Sequence, residues 1–144
     1  MSVSPKNTTA HDHAGAAAKL TRNEQLVQAV LDAADAPLGA YAILDAVREG
    51  GMRSPPQVYR ALERLQQRGL AHRIEHLNAF VACRRDACDG SATIFAVCSG
   101  CGETREFADP AFDALVAGYL RDNRFAMQVE RCELVGLCAV CAAG

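Results

Sequence analysis

Four of the seven cysteines in this 144-residue chain fall into two pairs of identical spacing, Cys98-Ser-Gly-Cys101 and Cys138-Ala-Val-Cys141. A two-residue gap lets a tight turn aim both thiolates at one point. Two such turns complete a tetrahedral sulfur cage, the donor set and geometry that suit zinc. A cage with four protein ligands keeps no open coordination position, so it serves as a staple and its binding energy is folding energy. The stretch between the pairs is longer than in a compact zinc ribbon, so the metal ties the start of a module to its last residues. Iron–sulfur clusters and redox dithiols also use such pairs, but a dithiol needs one pair at a helix start rather than two at the ends of a module.

Further ligand types lie between the hairpin region and the first cysteine pair: His72, His76, Cys83, Asp86, Cys88, Asp89, Glu103 and Glu106. His72 enters a hairpin and Cys83 leaves it, which allows both to sit at one end. Taken singly, His72 reads equally well as a surface residue and Cys83 as a small buried hydrophobe. Taken together, they suggest a mixed nitrogen, sulfur and oxygen site built from a hinge and the units on either side. Such a site has a mechanical consequence that a closed staple lacks, because occupancy sets the angle between the units.

A third pattern is electrostatic. Arg53, Arg60, Arg64, Arg68 and Arg73 stand against Glu63 alone, whereas from Cys83 onward nine acids outnumber six arginines. The net charge of −2 conceals this local stripe, which matches the footprint of a phosphate-contacting surface and also that of a solvated helix face.

The elements that must position these residues follow from periodicity and punctuation. Thr21 with Glu24 makes a capping box for a helix to Ala34, with Leu26, Val27, Val30 and Leu31 as its apolar stripe. Pro37 to Gly39 breaks the pattern. A second helix spans about Ala40 to Arg48, and Gly50-Gly51 ends it. Ser54-Pro55-Pro56 opens a third helix that buries Val58, Leu62 and Leu65, turns Tyr59, Arg60 and Arg64 elsewhere, and closes at Gly69. Leu70 to Ala82 alternates as a hairpin with a turn near Leu77-Asn78. Three helices and a hairpin are the order of a winged helix-turn-helix. Beyond a polar connector come a strand over Thr93–Val97, a strand over Thr104–Phe107, and a helix from Asp109-Pro110 carrying Phe112, Leu115, Val116, Tyr119 and Leu120. A strand over Phe125–Leu137 follows, with Met127, Val129 and Cys132 inward.

The expected class is therefore α+β. Residues 1–18 form a flexible tail, in which His11 and His13 are incidental. Residues 19–82 form a winged helix-turn-helix DNA-binding domain, 83–91 a hinge, and 92–144 a small zinc-stapled α/β dimerisation domain. The last is too small to bury its own sheet, which calls for a metal or a second copy. No apolar run approaches the ~20 residues that span a bilayer. The polar start lacks a signal core, so a cytoplasmic location is expected, where seven cysteines suggest metal rather than disulfides. An enzyme is not expected. A zinc deaminase needs His-x-Glu, but His72 is followed two residues on by Ile74 and His76 by Asn78.

The run Gln57-Val58-Tyr59-Arg60-Ala61-Leu62, then Gly69-Leu70 and His72, resembles the recognition helix and wing of the ferric uptake regulator superfamily. The pairs Cys98/Cys101 and Cys138/Cys141 resemble its structural zinc site. Within the superfamily, Asn78-Ala-Phe-Val-Ala-Cys83 is similar to the wing strand of the zinc uptake regulators. His72, Cys83 and Glu106 fall at three of that group's four regulatory ligand positions. The fourth is typically a connector His, where this chain has Ser91; Cys88 is the first choice in its place, with Asp89, His76 or a water as alternatives. The His-rich run of iron-sensing members is absent ahead of Cys98. The resemblance implies a homodimer holding zinc, about two ions per chain, one structural and one regulatory. It implies a repressor of zinc-uptake genes that binds double-stranded operator DNA when loaded. Tyr59 and Arg60 would contact bases or backbone, with Tyr41, Arg53 and Arg64 as phosphate partners. Asp45 and Arg48 stand where neighbouring dimers on DNA pair an acid with an arginine. The same scaffold also serves sensors of iron, manganese, or peroxide and thiol oxidation, for which Cys83, Cys88 and Cys132 supply thiols.

Overall fold

The computed structural model describes residues 19–84, 93–128 and 131–144. They fall into two compact units, 19–73 with 79–84, and 74–78 with 93–128 and 131–144. The α+β class and the winged-helix order expected from the sequence are what the chain has.

In the first unit α1 (Arg22–Ala33) starts at the expected box: Thr21 Oγ1 accepts from Glu24 N, and the Glu24 carboxylate accepts from Thr21 N. Helix α2 (Ala40–Val47) tightens into a 3₁₀ turn over Arg48–Gly50. Helix α3 (Pro55–Gln67) follows Ser54, and the Gln57 side chain accepts from the backbone N–H groups of Arg53 and Ser54. Gly69 at φ 70 ends α3 in the left-handed conformation, where a side chain is disfavoured, and Leu70 N returns to Leu65 O. The hairpin β1 (Ala71–Ile74) and β2 (Ala79–Ala82) follows. Leu38 exchanges two backbone hydrogen bonds with Phe80 and adds a one-residue rung beside β2. The core beneath is apolar: Val27, Leu31, Ile43, Val47, Met52, Val58, Leu62, Leu65 and Phe80 are all buried. The stripes read from the 3.6-residue period therefore face one another.

In the second unit β3 (Ile94–Cys98) lies between two neighbours. It pairs antiparallel with β4 (Thr104–Phe107) and parallel with β5 (Cys132–Gly136), which is reached through α4 (Pro110–Asp122). Asp109 caps α4 as expected, its carboxylate accepting from Ala111 N. The chain closes with α5 (Ala139–Ala143).

Two expectations fail here. The last strand does not begin at Phe125. The β5 ladder runs only from Cys132 to Gly136 because β3 offers five residues to pair with. Upstream, Arg124 turns at φ 50 and Phe125 N bonds Leu120 O, so that stretch caps α4 instead. Met127 is exposed rather than inward, and Val129 lies outside the described residues. On α4, Phe112, Val116 and Leu120 are half-buried while Leu115 and Tyr119 are exposed, so its apolar face is only partly used.

Leu62, fully buried at the centre of α3, tests the packing of the first unit. Leu62→Ala is expected to cost ~2–5 kcal/mol in urea unfolding followed by circular dichroism. A loss below ~1 kcal/mol would mean that α3 is not seated as described.

Candidate metal centre and nucleic-acid interface

The four cysteines of the paired motifs converge in the second unit, all four sulfurs lying within 4.8 Å of one another. Cys98 ends β3. The turn after it closes through Gly102 N to Cys98 O (2.9 Å) and Cys98 N to Glu103 O (2.8 Å). Ser99 ties that turn to the end of β5, its N and Oγ both donating to Gly136 O. Cys138 caps α5 with Cys141 in its first turn, so the second pair stands at a helix start, which the sequence reading did not anticipate. Cys138 N donates to Cys98 Sγ at 3.3 Å, and Cys101 Sγ lies 3.9 Å from Cys138 Sγ. A tetrahedron with metal–sulfur bonds of ~2.3 Å has edges of about 3.8 Å. The donor set and spacing therefore fit a zinc-sized dication, with no position left open. Gly100 makes the approach possible, since a Cβ there would sit 3.1 Å from Cys141 Sγ.

Electrostatics point the same way. The Cys98 thiol is pulled down to about 6, chiefly by the Cys138 N–H and then by that of Cys101. Cys141 is pushed up to about 12, first by Cys138 and then by the other two sulfurs. The Cys98 thiolate forms readily while Cys101 and Cys141 resist ionising beside it, a balance that favours a cation among the sulfurs. Beside the cluster Arg105 pairs with Glu103 at 2.8 Å, which lowers the carboxyl of Glu103.

In the first unit His72 on β1 and Cys83, just past β2, bring a ring nitrogen and a sulfur within 4.8 Å. Cys83 N is held by Leu70 O at 2.9 Å. Glu106 is half-buried on β4 of the second unit. His76 sits in the turn between β1 and β2. Asp86, Cys88, Asp89 and Ser91 lie outside the described residues, as does the tail with His11 and His13. Cys132 opens β5 as a free, half-buried thiol. Sequence reasoning missed Arg84. Its guanidinium donates to Ala34 O at 2.6 Å and reaches Leu31 O and Asp32 O at 3.4 Å, capping α1, whose last turn has no basic residue of its own. That deficit in α1 was the only signal in the sequence.

The arginine stripe resolves into distinct environments. Tyr59 and Arg60 project from α3 into solvent, Tyr41 stands exposed at the start of α2, and Arg53 is exposed just before α3. Arg64 is also exposed but reaches back toward buried Glu24 of α1. Asp45 and Arg48 pair with each other at 3.2 Å on an open surface. In the second unit Phe107, Leu115, Tyr119, Phe125, Leu134 and Leu137 are exposed apolar residues, and β5, like β4, is an outer strand of the sheet.

No family model matches the chain. It is 29% identical over 124 residues to the zinc uptake regulation protein of Escherichia coli (strain K12), covering 85% of this chain and 72% of that protein. Among solved structures it superposes on holo XcZur with a TM-score of 0.77 at 32% identity, over 94% of this chain and 99% of that one. It superposes on a zinc uptake regulator complexed with zinc and DNA with a TM-score of 0.78 at 27% identity, over 96% and 97% of the two chains. The Helicobacter pylori ferric uptake regulator shares the fold, with a TM-score of 0.59 at 17% identity.

Gly100→Ala places a methyl against Cys141 Sγ, an overpacking of ~1–3 kcal/mol. The expected result is metal retention weaker by about ten- to a hundredfold in competition with a colorimetric chelator. Unchanged retention would place the metal elsewhere.

Proposed function

The chain belongs to the ferric uptake regulator superfamily, in its zinc-uptake-regulator branch, and on that premise we propose that it is a cytoplasmic, zinc-responsive repressor of zinc-uptake genes. The observation that carries the reading is the close pair of His72, on β1 of the wing hairpin, and Cys83, just past β2, separate in sequence and chemistry from the closed four-sulfur cluster. In this reading Cys98, Cys101, Cys138 and Cys141 hold a structural zinc. His72 and Cys83, with Glu106 and a fourth ligand for which Cys88 is first choice, hold a regulatory one. The count is about two ions per chain. Zinc supplies charge and a fixed ligand geometry. A thiolate among the ligands favours it over iron(II) or manganese.

The rest of the mechanism belongs to the chain's own residues. In this reading occupancy of the regulatory site sets the spacing of two α3 helices in a homodimer. The exposed apolar residues of the second unit and its open β5 edge supply a surface for the second copy. In the major groove of operator DNA, Arg60 contacts a guanine edge or a phosphate and Tyr59 lays its ring on a thymine methyl. Tyr41 and Arg53 reach phosphates. Arg64, on the same helix, is placed among the DNA-facing residues, with Glu24 modulating it. Asp45 and Arg48 exchange their mutual pairing for contacts with a neighbouring dimer.

A second reading is thiol sensing at Cys83, since oxidation of that thiol by peroxide removes a regulatory ligand and would release DNA at constant zinc.

Zinc titration with operator binding followed in parallel tests the proposal. About two ions per chain are expected, the weaker one switching DNA binding. Cys83→Ser should leave a folded protein that responds poorly to zinc, whereas Cys98→Ser should unfold the second unit. If the two variants behave alike, the division into structural and regulatory sites is wrong. Arg60→Ala should weaken specific operator binding by ~1–3 kcal/mol in a gel-shift titration.

A further inference from the structure

Among the described residues, Glu24 is the one buried charged side chain, 2% exposed. Burial of an ionised carboxylate is costly unless it is paired and hydrogen-bonded. Its Oε2 accepts from Thr21 N at 3.2 Å and completes the cap of α1. The same carboxylate faces α3, with Oε1 4.0 Å from Arg64 Nε and Oε2 3.8 Å from Arg68 Nη1. Arg64 is 68% exposed and borders an open groove of about 480 Å³ shared with Arg22, Gln57 and Arg60. A fixed negative charge therefore stands directly behind the arginines of α3.

We propose that Glu24 is a specificity-determining residue for DNA: it draws Arg64 back and offsets its charge, holding sequence-independent phosphate attraction down. The inference rests on the reading of α3 as the DNA-facing helix. Non-specific affinity comes from counterions released as cations neutralise phosphates. An arginine already paired with a carboxylate releases fewer of them. Base contacts from Tyr59 and Arg60 are untouched by this pairing, so the ratio of specific to non-specific binding rises. A capping residue alone would have no such effect on discrimination.

Glu24→Gln separates the two duties, because glutamine still accepts the capping hydrogen bond but carries no charge. The experiment uses the full chain saturated with zinc. The probes are a duplex selected by the wild type from a random library and a scrambled duplex of the same composition. Dissociation constants are measured by fluorescence anisotropy across a fourfold range of potassium chloride. For the scrambled duplex, Glu24→Gln is expected to steepen the dependence of log affinity on log salt by about 0.9, roughly a 3.5-fold larger loss across that range. Its preference for the selected duplex should fall. Arg64→Gln alone should flatten the slope by much less than ~0.9, because Glu24 already offsets most of that charge, and adding it to Glu24→Gln should abolish the gain. An unchanged or shallower slope in folded Glu24→Gln overturns the proposal. So does a slope flattened by about 0.9 in Arg64→Gln alone, since Arg64 would then already neutralise a phosphate. If Glu24→Gln does not fold by circular dichroism, the Arg64→Gln result decides. A wild type that binds neither duplex brings down the DNA reading itself, an outcome distinct from normal binding with an unaltered slope.

Discussion

Four thiols gathered within a few ångströms cannot all ionise beside one another without a cation, and the second unit is arranged around that constraint. Its ladder of five parallel pairs runs from Ile94↔Cys132 to Cys98↔Gly136 and ends two residues short of Cys138. Ser99 stitches the first cysteine turn to Gly136, so sheet and cluster share a boundary. The apolar burial available here is slight: four buried side chains on β3, and none on α4. A module of this size needs something other than its own core to stay folded. The sulfurs answer that need from inside, and the proposed second copy answers it from outside.

The first unit rests on a different principle. Three helical stripes and two short strands bury a continuous apolar cluster, and side-chain hydrogen bonds help to start α1 and α3. The exception is Glu24, which places one charge where the rest of the interior has none. Local helix capping and long-range charge placement thus fall on a single side chain.

Much of this was legible in the sequence because it is local. Thr21 with Glu24, Ser54-Pro55 and Asp109-Pro110 mark helix starts through contacts within three residues, and Gly69 marks an end. The two cysteine pairs announce a shared point through spacing alone, though not that the second pair begins a helix. What escaped depends on partners far away in the chain. The length of β5 is set by how many residues β3 has to offer, not by the alternation of Phe125–Leu137. Exposure of Leu115 and Tyr119 cannot be read from helical period, which says that an apolar face exists but not what covers it. Arg84 looked like any connector residue until the end of α1 was placed beside it.

That last contact has a consequence for how the chain is made. The carbonyls closing α1 are met by an arginine 50 positions later than Ala34, past α2, α3 and the whole hairpin. During synthesis α1 therefore leaves the ribosome with the Ala34 carbonyl bonded only to water. It stays so until β2 has been laid down and Arg84 has emerged. The first helix is begun by its own residues, Thr21 and Glu24, but it is finished by Arg84. A truncated chain stopping at β2 would contain every apolar residue of the first unit's core and still leave that helix end open.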